Sequence, residues 1–315
     1  MENLMFCLNA TGPIFLMMVF GLFLRKVGIL DEDFANRMNK FVFKIPLPFL
    51  LFSDLASVDF SRVWNIKFIV FCFVVTLISI TISTLVSCLW RDKSIRGEFI
   101  QASYRSSAAL LGIAFIQNIY GSSGMAPLMI IGSVPLYNVF AVIVLTFESG
   151  HTGTDSSANI RKAFINILKN PIIIGIVLGL IASFINLPLP GIVSKSINNL
   201  AVMTSPLALI SIGASFEGRK ALAKLKPTFA ASFMKLLGWA AIFLPTAVFL
   251  GFRDQELIAL LIMLASPCTP AAYIMAKNMD GDDILASSIV VATTLLSSVT
   301  LTFWIFLLRL LSLIS

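Results

Sequence analysis

Apolar residues run through this chain in long blocks, separated by short clusters of charged and turn-forming residues. Each block reaches the roughly 18 or more residues that a helix needs to cross a hydrocarbon core. Reading the blocks against the punctuation between them predicts ten helices: Leu4–Leu24, Phe34–Leu55, Ile66–Leu89, Phe99–Ile119, Ala126–Phe147, Ile167–Ile185, Ile192–Ser215, Thr228–Phe252, Leu257–Met279 and Ile284–Leu311. Strand-type alternation is missing from these blocks, so the expected fold is an all-α membrane protein. The connections are short. The longest, Glu148 to Asn166, is rich in Gly, Ser and Thr and reads as a hinge between a first half, 1–150, and a second, 167–315, with 151–166 as a cytoplasmic loop.

Composition strengthens this picture. The 315 residues are 58% hydrophobic and 12% charged, with a mean hydropathy of +0.94, whereas soluble domains carry about 25% charged residues. The first block has no basic segment before it and no small-residue cleavage site after it, so it is expected to be a retained helix. Cys7, Cys72, Cys88 and Cys268 lie inside apolar blocks without CxxC spacing. They point to packing, and neither a metal nor a cofactor is expected.

The net charge of +7 could suggest nucleic acid, but its distribution gives another reading. Connections one, three, five, seven and nine carry Arg25, Lys26, Arg37, Lys40, Arg91, Lys93, Arg96, Arg161, Lys162, Lys169, Arg219, Lys220, Lys224, Lys226 and Lys277. The even connections and the termini carry only Arg62, Lys67, Lys195, Arg253 and Arg309. The positive-inside rule then puts the odd connections in the cytoplasm and both termini outside, in a cell membrane. The charge thus reports orientation, and no nucleic-acid partner is expected.

Four matches recur at one offset. Pro13 falls on Pro171, Gly21 on Gly179, Pro48 on Pro206 and Glu98 on Glu256, each 158 residues apart. A shared register implies duplication. Because each half has five spans, an odd number, the second half must be inserted upside down. Inverted repeats are a recurrent transporter architecture, with the substrate site near the midplane between discontinuous helices.

Spans four and nine are the discontinuous candidates. Span four opens with Gln101, Ser103, Tyr104, Arg105, Ser106 and Ser107 and passes Gly112; span nine contains Ser266-Pro267-Cys268-Thr269-Pro270. Proline removes an amide donor and clashes with the preceding turn, which predicts a break. Crossing breaks would bring helix N-termini, with free N–H groups and partial positive charge, to one point suited to an anion. Apart from Asp54 at the edge of span two, no acid falls within a span, which disfavours a cation as cargo. Arg105 is costly at the midplane and so becomes a functional candidate; the competing reading is a snorkelling or structurally paired arginine. Lys44 and Lys235 are expected to reach the interface on their long stems. Tyr137 and Asn138 either line the cavity or cap a packed contact, and His151 sits in the hinge loop. Asn9-Ala10-Thr11 matches a glycosylation sequon but lies within the first span.

At several of these residues the chain resembles the auxin efflux carrier family, which includes bacterial malate and malonate permeases. The likeness rests on Phe43-Lys44-Ile45-Pro46-Leu47-Pro48, Tyr104-Arg105-Ser106 leading to Gly112, Pro135-Leu136-Tyr137-Asn138, Asn170-Pro171 with Gly179, Pro206-Leu207-Ala208-Leu209 with Gly213-Ala214-Ser215, and Ala276-Lys277 with Asp283-Ile284-Leu285. The resemblance implies a moving domain of spans three to five and eight to ten, and a scaffold of spans one, two, six and seven. It also implies pairing of two copies through the scaffold, and elevator-like alternating access. In the family the span-four crossover reads Asn-x-x-x-x-Gly-x-Pro, with the Asn toward the substrate carboxylate. Here those positions are Ser107, Gly112 and Ala114. A Ser hydroxyl cannot present two amide donors, so recognition is expected to differ.

The resulting expectation is a secondary transporter of small mono- or dicarboxylates, embedded among membrane lipids, with a binding site at Arg105, Ser107, Gly112, Asn138, Pro267, Cys268, Thr269 and Pro270. The alternatives are a sodium-coupled organic-acid or bile-acid type symporter and a non-transporting anion sensor. An intramembrane enzyme is disfavoured, because catalysis would call for a His, metal ligands or paired acids at depth, and the only His lies in a loop.

Overall fold

The computed structural model describes residues 2–56, 65–108, 116, 120, 125–148, 165 and 167–314. The described elements are helical throughout, with no strand among them. Six of the described helices are long and apolar enough to cross a membrane: Ile66–Ser87, Ala126–Glu148, Gly191–Ser215, Leu225–Phe249, Asp254–Asn278 and Asp283–Leu310.

Helix α1 spans Glu2–Lys26 and places Arg25 and Lys26 in its last turn, where the negative end of the helix dipole favours cations. The chain then reverses through Gly28 at φ +78, a left-handed conformation that glycine adopts without strain. Asp31 starts α2 (Glu32–Lys44) by accepting from the Phe34 amide. Here one expectation is corrected: span two is two helices, because α2 ends at Ile45 (φ −121, ψ −75) and α3 runs Pro46–Ala56. Pro46 has no N–H to continue the ladder, and its ring crowds the residue before it. Span seven shows the matching division, with α8 (Gly191–Val202) and α9 (Thr204–Ser215) meeting at Met203, 158 residues after Ile45.

The remaining helices are α4 (Ile66–Ser87), α5 (Arg96–Tyr104), α6 (Ala126–Glu148), α7 (Pro171–Phe184), α10 (Gly218–Ala223), α11 (Leu225–Phe233), α12 (Trp239–Phe249), α13 (Asp254–Ala265), α14 (Pro270–Asn278) and α15 (Asp283–Leu310). A π-helical turn, Met234–Gly238, joins α11 to α12. Asn170 caps α7 by accepting from the Ile172 amide at 2.9 Å, with Pro171 opening the helix. Pro13, its counterpart, stays inside α1. Of the cysteines, Cys72 and Cys268 are buried but Cys88 is exposed, so not all of them serve packing as expected.

Lipid gives helices little hydrophobic reason to associate, so close packing must supply the attraction, and small residues allow it. Helix α1 lies along α9 and α3 along α7. A Cβ on Gly21 would strike the Ile210 carbonyl, and one on Gly179 would sit 2.9 Å from the Phe52 carbonyl. Both partners of the second pair relate to the first by the 158-residue offset, exchanged between halves.

Polar contacts sort the connections onto two faces. On one, Lys224 bridges Asp282 at 2.9 Å and Asp92 at 3.5 Å, and Arg25 donates to the Ala214 carbonyl. Burial works against the Lys224 charge, but the two carboxylates outweigh it and hold the ammonium above its ordinary value. On the other, Asn65 donates to Glu256 at 2.6 Å, Lys67 to the Leu250 carbonyl, and the Asp254 amide to the Leu313 carbonyl. Connections one, three, seven and nine therefore meet on one face, and connections two and eight meet the C-terminal end on the other. The hinge loop and His151 lie outside the described residues.

Candidate functional site

Span nine breaks where its prolines predict. Helix α13 ends at Ser266 in an extended conformation (ψ 157), and α14 begins at Pro270 with Thr269 as its cap, the Thr269 hydroxyl accepting from the Ala271 amide at 3.4 Å. Span four breaks as well, but earlier than Gly112: α5 stops at Tyr104, and Arg105 turns extended at ψ 129. Gly112 and Ala114 lie outside the described residues. The two breaks touch, since the Ser107 amide donates to the Pro267 carbonyl at 3.0 Å.

Unwinding frees carbonyls that must find donors in a medium without water. Span eight, with α11, the π turn and α12, supplies most of them. Lys235, on the π turn, is 0% exposed and donates to the Leu264 carbonyl at 2.6 Å and toward Met263 at 3.5 Å. Trp239 Nε1 donates to the Ser103 carbonyl at 2.7 Å. Met263 also receives the Tyr137 hydroxyl at 3.2 Å and the Ser106 hydroxyl. The freed Cys268 amide donates to Thr293 Oγ1 at 3.1 Å. Lys235 thus does not reach the interface as its stem length suggested: the carbonyl ends of α13 hold it inside, where a cation at a helix C-terminus is favoured. Lys44 does lie exposed.

Arg105 does not snorkel either. It is 2% exposed, and its Nη2 donates to Asn138 Oδ1 at 2.5 Å while Nη1 reaches Gln101 Oε1 at 3.4 Å. Asn138 Nδ2 in turn donates to the Val134 carbonyl at 2.9 Å, which fixes the amide with its oxygen toward the guanidinium. The family-like Pro135-Leu136-Tyr137-Asn138 run is therefore the mount for Arg105.

These groups open onto a narrow cleft between α3 and α9 on one side and the break after α5, α6 and the start of α14 on the other. Of the residues assigned to a site from the sequence, Arg105, Ser107, Asn138, Thr269 and Pro270 line it together. Pro267 and Cys268 are not part of the wall: Pro267 serves through its carbonyl, and Cys268 is buried with its amide on Thr293. The opposite wall carries residues that sequence reasoning did not assign to the site, namely Leu47, Leu51, Asp54, Thr204, Ser205 and Ala208. Asp54 was visible as the one acid within a span; nothing in the sequence alone placed it in the same cleft as Arg105. The N-terminus of α14 faces the same space through Thr269, Pro270 and Ala271. A buried guanidinium and a helix N-terminus around one cleft favour a negatively charged guest.

The sequence pattern of a family described as membrane transport proteins matches residues 6–305. An uncharacterized transporter of Methanothermobacter thermautotrophicus is 24% identical over 298 residues, covering 92% of this chain and 95% of its own length. Another uncharacterized transporter, from Methanocaldococcus jannaschii, is 23% identical over 301 residues at the same two coverages. With its apolar spans, its touching helix breaks and a match over nearly its whole length, the chain is a multi-pass membrane protein that belongs to the membrane transport family of the auxin efflux carriers.

Proposed function

We propose that the protein is a secondary transporter of small organic anions, mono- or dicarboxylates, working by elevator-type alternating access. The observation that carries this reading is Arg105: a guanidinium 2% exposed, mounted on Asn138 at a helix break and opening onto a cleft. A guanidinium kept in lipid-depth surroundings is costly. A carboxylate guest meeting Arg105, the Ser107 and Thr269 hydroxyls and the α14 N-terminus makes use of it.

The architecture fits that reading as ten spans in two inverted repeats. Support comes from the Ile45 and Met203 divisions, the exchanged glycine contacts and the sorting of odd and even connections onto opposite faces. Spans one, two, six and seven form the scaffold, through which two copies pair, and the other spans move with the guest. Both termini lie outside a cell membrane whose cytoplasmic face carries the odd connections. Asp54 and the Thr204 and Ser205 hydroxyls in the opposite wall favour sodium coupling as a second reading, since oxygen donors suit a hard cation.

Purified protein in liposomes, challenged with a panel of dicarboxylates and indole acids, is expected to show saturable counterflow of at least one of them. If none is moved or bound, the anion reading fails; dependence of uptake on sodium selects the coupled form. Ser107→Asn restores the two amide donors of the family pattern at the crossing. One further good hydrogen bond is worth about 1–1.5 kcal/mol, so the variant is expected to bind the transported carboxylate roughly tenfold more tightly by calorimetric titration.

A further inference from the structure

Glu98 opens α5 one residue before the predicted start of span four and is 0% exposed. Its Oε2 accepts from Gln101 Nε2 at 2.6 Å, and among the described residues its Oε1 has no hydrogen-bond partner. Gly281, in the turn between α14 and α15, covers that oxygen so closely that a Cβ there would strike it. The same Gln101 side chain accepts from Arg105 through Oε1 and also donates to the Ala272 carbonyl at 3.2 Å. A chain of side-chain contacts therefore runs Glu98, Gln101, Arg105, Asn138 from the face of the odd connections to the cleft.

A structural cap is the competing role, and the counterpart residue shows what such a cap looks like. Glu256, 158 residues on, accepts from Asn65 and from the Arg253 amide. Among the described residues Glu98 accepts only from Gln101, in its own helix, and nothing donates to its Oε1. The charged groups around it do not neutralise it directly either. Asp282 and Asp283 at the start of α15 are acidic, as is Glu148, which packs at Gly97 from the end of α6. Lys224 and Lys277 are engaged by Asp282 and Asp283. Lys235 points to the Leu264 carbonyl and the Tyr273 hydroxyl meets Asn39. Burial, the largest influence, holds the Glu98 carboxyl well above the ordinary glutamate range; Gln101 and Arg105 oppose it, and Asp282 and Asp283 add to it.

We propose that Glu98 is a proton-binding site linked to anion binding at Arg105, the proton taken from water as the anion enters and returned as it leaves. This rests on the reading of the cleft as an anion site. While Glu98 is ionised, its charge at the far end of the Gln101 bridge offsets the pull of the guanidinium on a carboxylate. An O–H bond formed at Oε1 removes that offset, so proton and anion each favour the other's binding. The sign follows directly: anion affinity falls as pH rises through the acid's midpoint, by at most about tenfold per pH unit for one proton.

The test titrates the purified protein with malonate across a pH range in which malonate itself stays fully ionised. The wild-type affinity is expected to weaken as pH rises, whereas Glu98→Gln, which mimics the neutral acid, holds the tight value throughout. Gln101→Leu cuts the bridge and is expected to flatten the profile while leaving the acid in place. An infrared carbonyl band of a protonated carboxylic acid, present in the ligand-free wild type and in Gln101→Leu below the acid's midpoint, lost above it and absent from Glu98→Gln at every pH, identifies the proton site without any ligand. A pH-independent wild-type affinity, or an unchanged slope in Glu98→Gln, overturns the linkage. If malonate fails to bind at all, the anion reading has failed instead, and the infrared band alone decides whether Glu98 holds a proton.

Discussion

Arg105→Ala is expected to lower malonate binding and counterflow roughly a hundredfold or more, the largest loss of function among single substitutions in the cleft. The guanidinium supplies the only full positive charge among the described residues that line the cleft. Removing one partner of a desolvated, hydrogen-bonded charge pair costs about 2–5 kcal/mol, and each 1.4 kcal/mol is about tenfold in affinity. Arg105→Lys should recover only part of the loss. A compact ammonium can keep the charge but cannot hold the Asn138 and Gln101 oxygens and a carboxylate in one planar fork. Equilibrium binding and liposome uptake, read beside thermal unfolding, separate a lost contact from a lost fold. Unchanged transport in a folded Arg105→Ala protein would place the site elsewhere.

The second large effect concerns stability. A Cβ at Gly213 would land on the Met18 carbonyl oxygen, with the Leu22 amide 3.0 Å away, and both are backbone atoms of α1 that no rotamer change can move. Gly213→Ala must push α9 away from α1 along a contact that depends on close approach. Overpacking of this kind costs about 1–3 kcal/mol, which for a chain of this length corresponds to a fall of roughly 2–5 °C in unfolding temperature. Gly12→Ala is the control, because a Cβ there meets nothing within 4 Å. In a helix interior that change is neutral or stabilising by up to about 1 kcal/mol. Equal unfolding temperatures for the two variants would contradict the tight α1 and α9 packing.

Much of the fold was legible because the membrane leaves a chain few choices. Backbone groups at depth must be satisfied within the segment, so apolar blocks become helices whatever their neighbours do. The prolines of Ser266-Pro267-Cys268-Thr269-Pro270 announced a break by their own covalent structure, and α13 and α14 separate there. Pro46 carried the same message at Ile45, but among apolar neighbours it was indistinguishable from a tolerated kink, and span two was read as unbroken. The start of the span-four break was not announced in the sequence, because Arg105 leaves the helix without a proline or glycine beside it.

Within the site, the sequence could identify residues whose cost demanded a reason. Arg105 was such a residue, and so was the asparagine of Pro135-Leu136-Tyr137-Asn138. It could not tell which costly groups belong together, since Arg105 and Asn138 meet across 33 positions and Lys235 finds Leu264 across 29. Lys235, Trp239, Asp54 and Glu98 differ only in what surrounds them: carbonyls freed by unwinding, a cleft wall, or a closed space with one oxygen left over. Local chemistry along the chain determines helix and proline-marked break, because those follow from hydrogen bonding and hydropathy within a few residues. The tertiary structure alone decides which buried polar groups become partners, because that depends on bringing together helices that lie tens of residues apart along the chain.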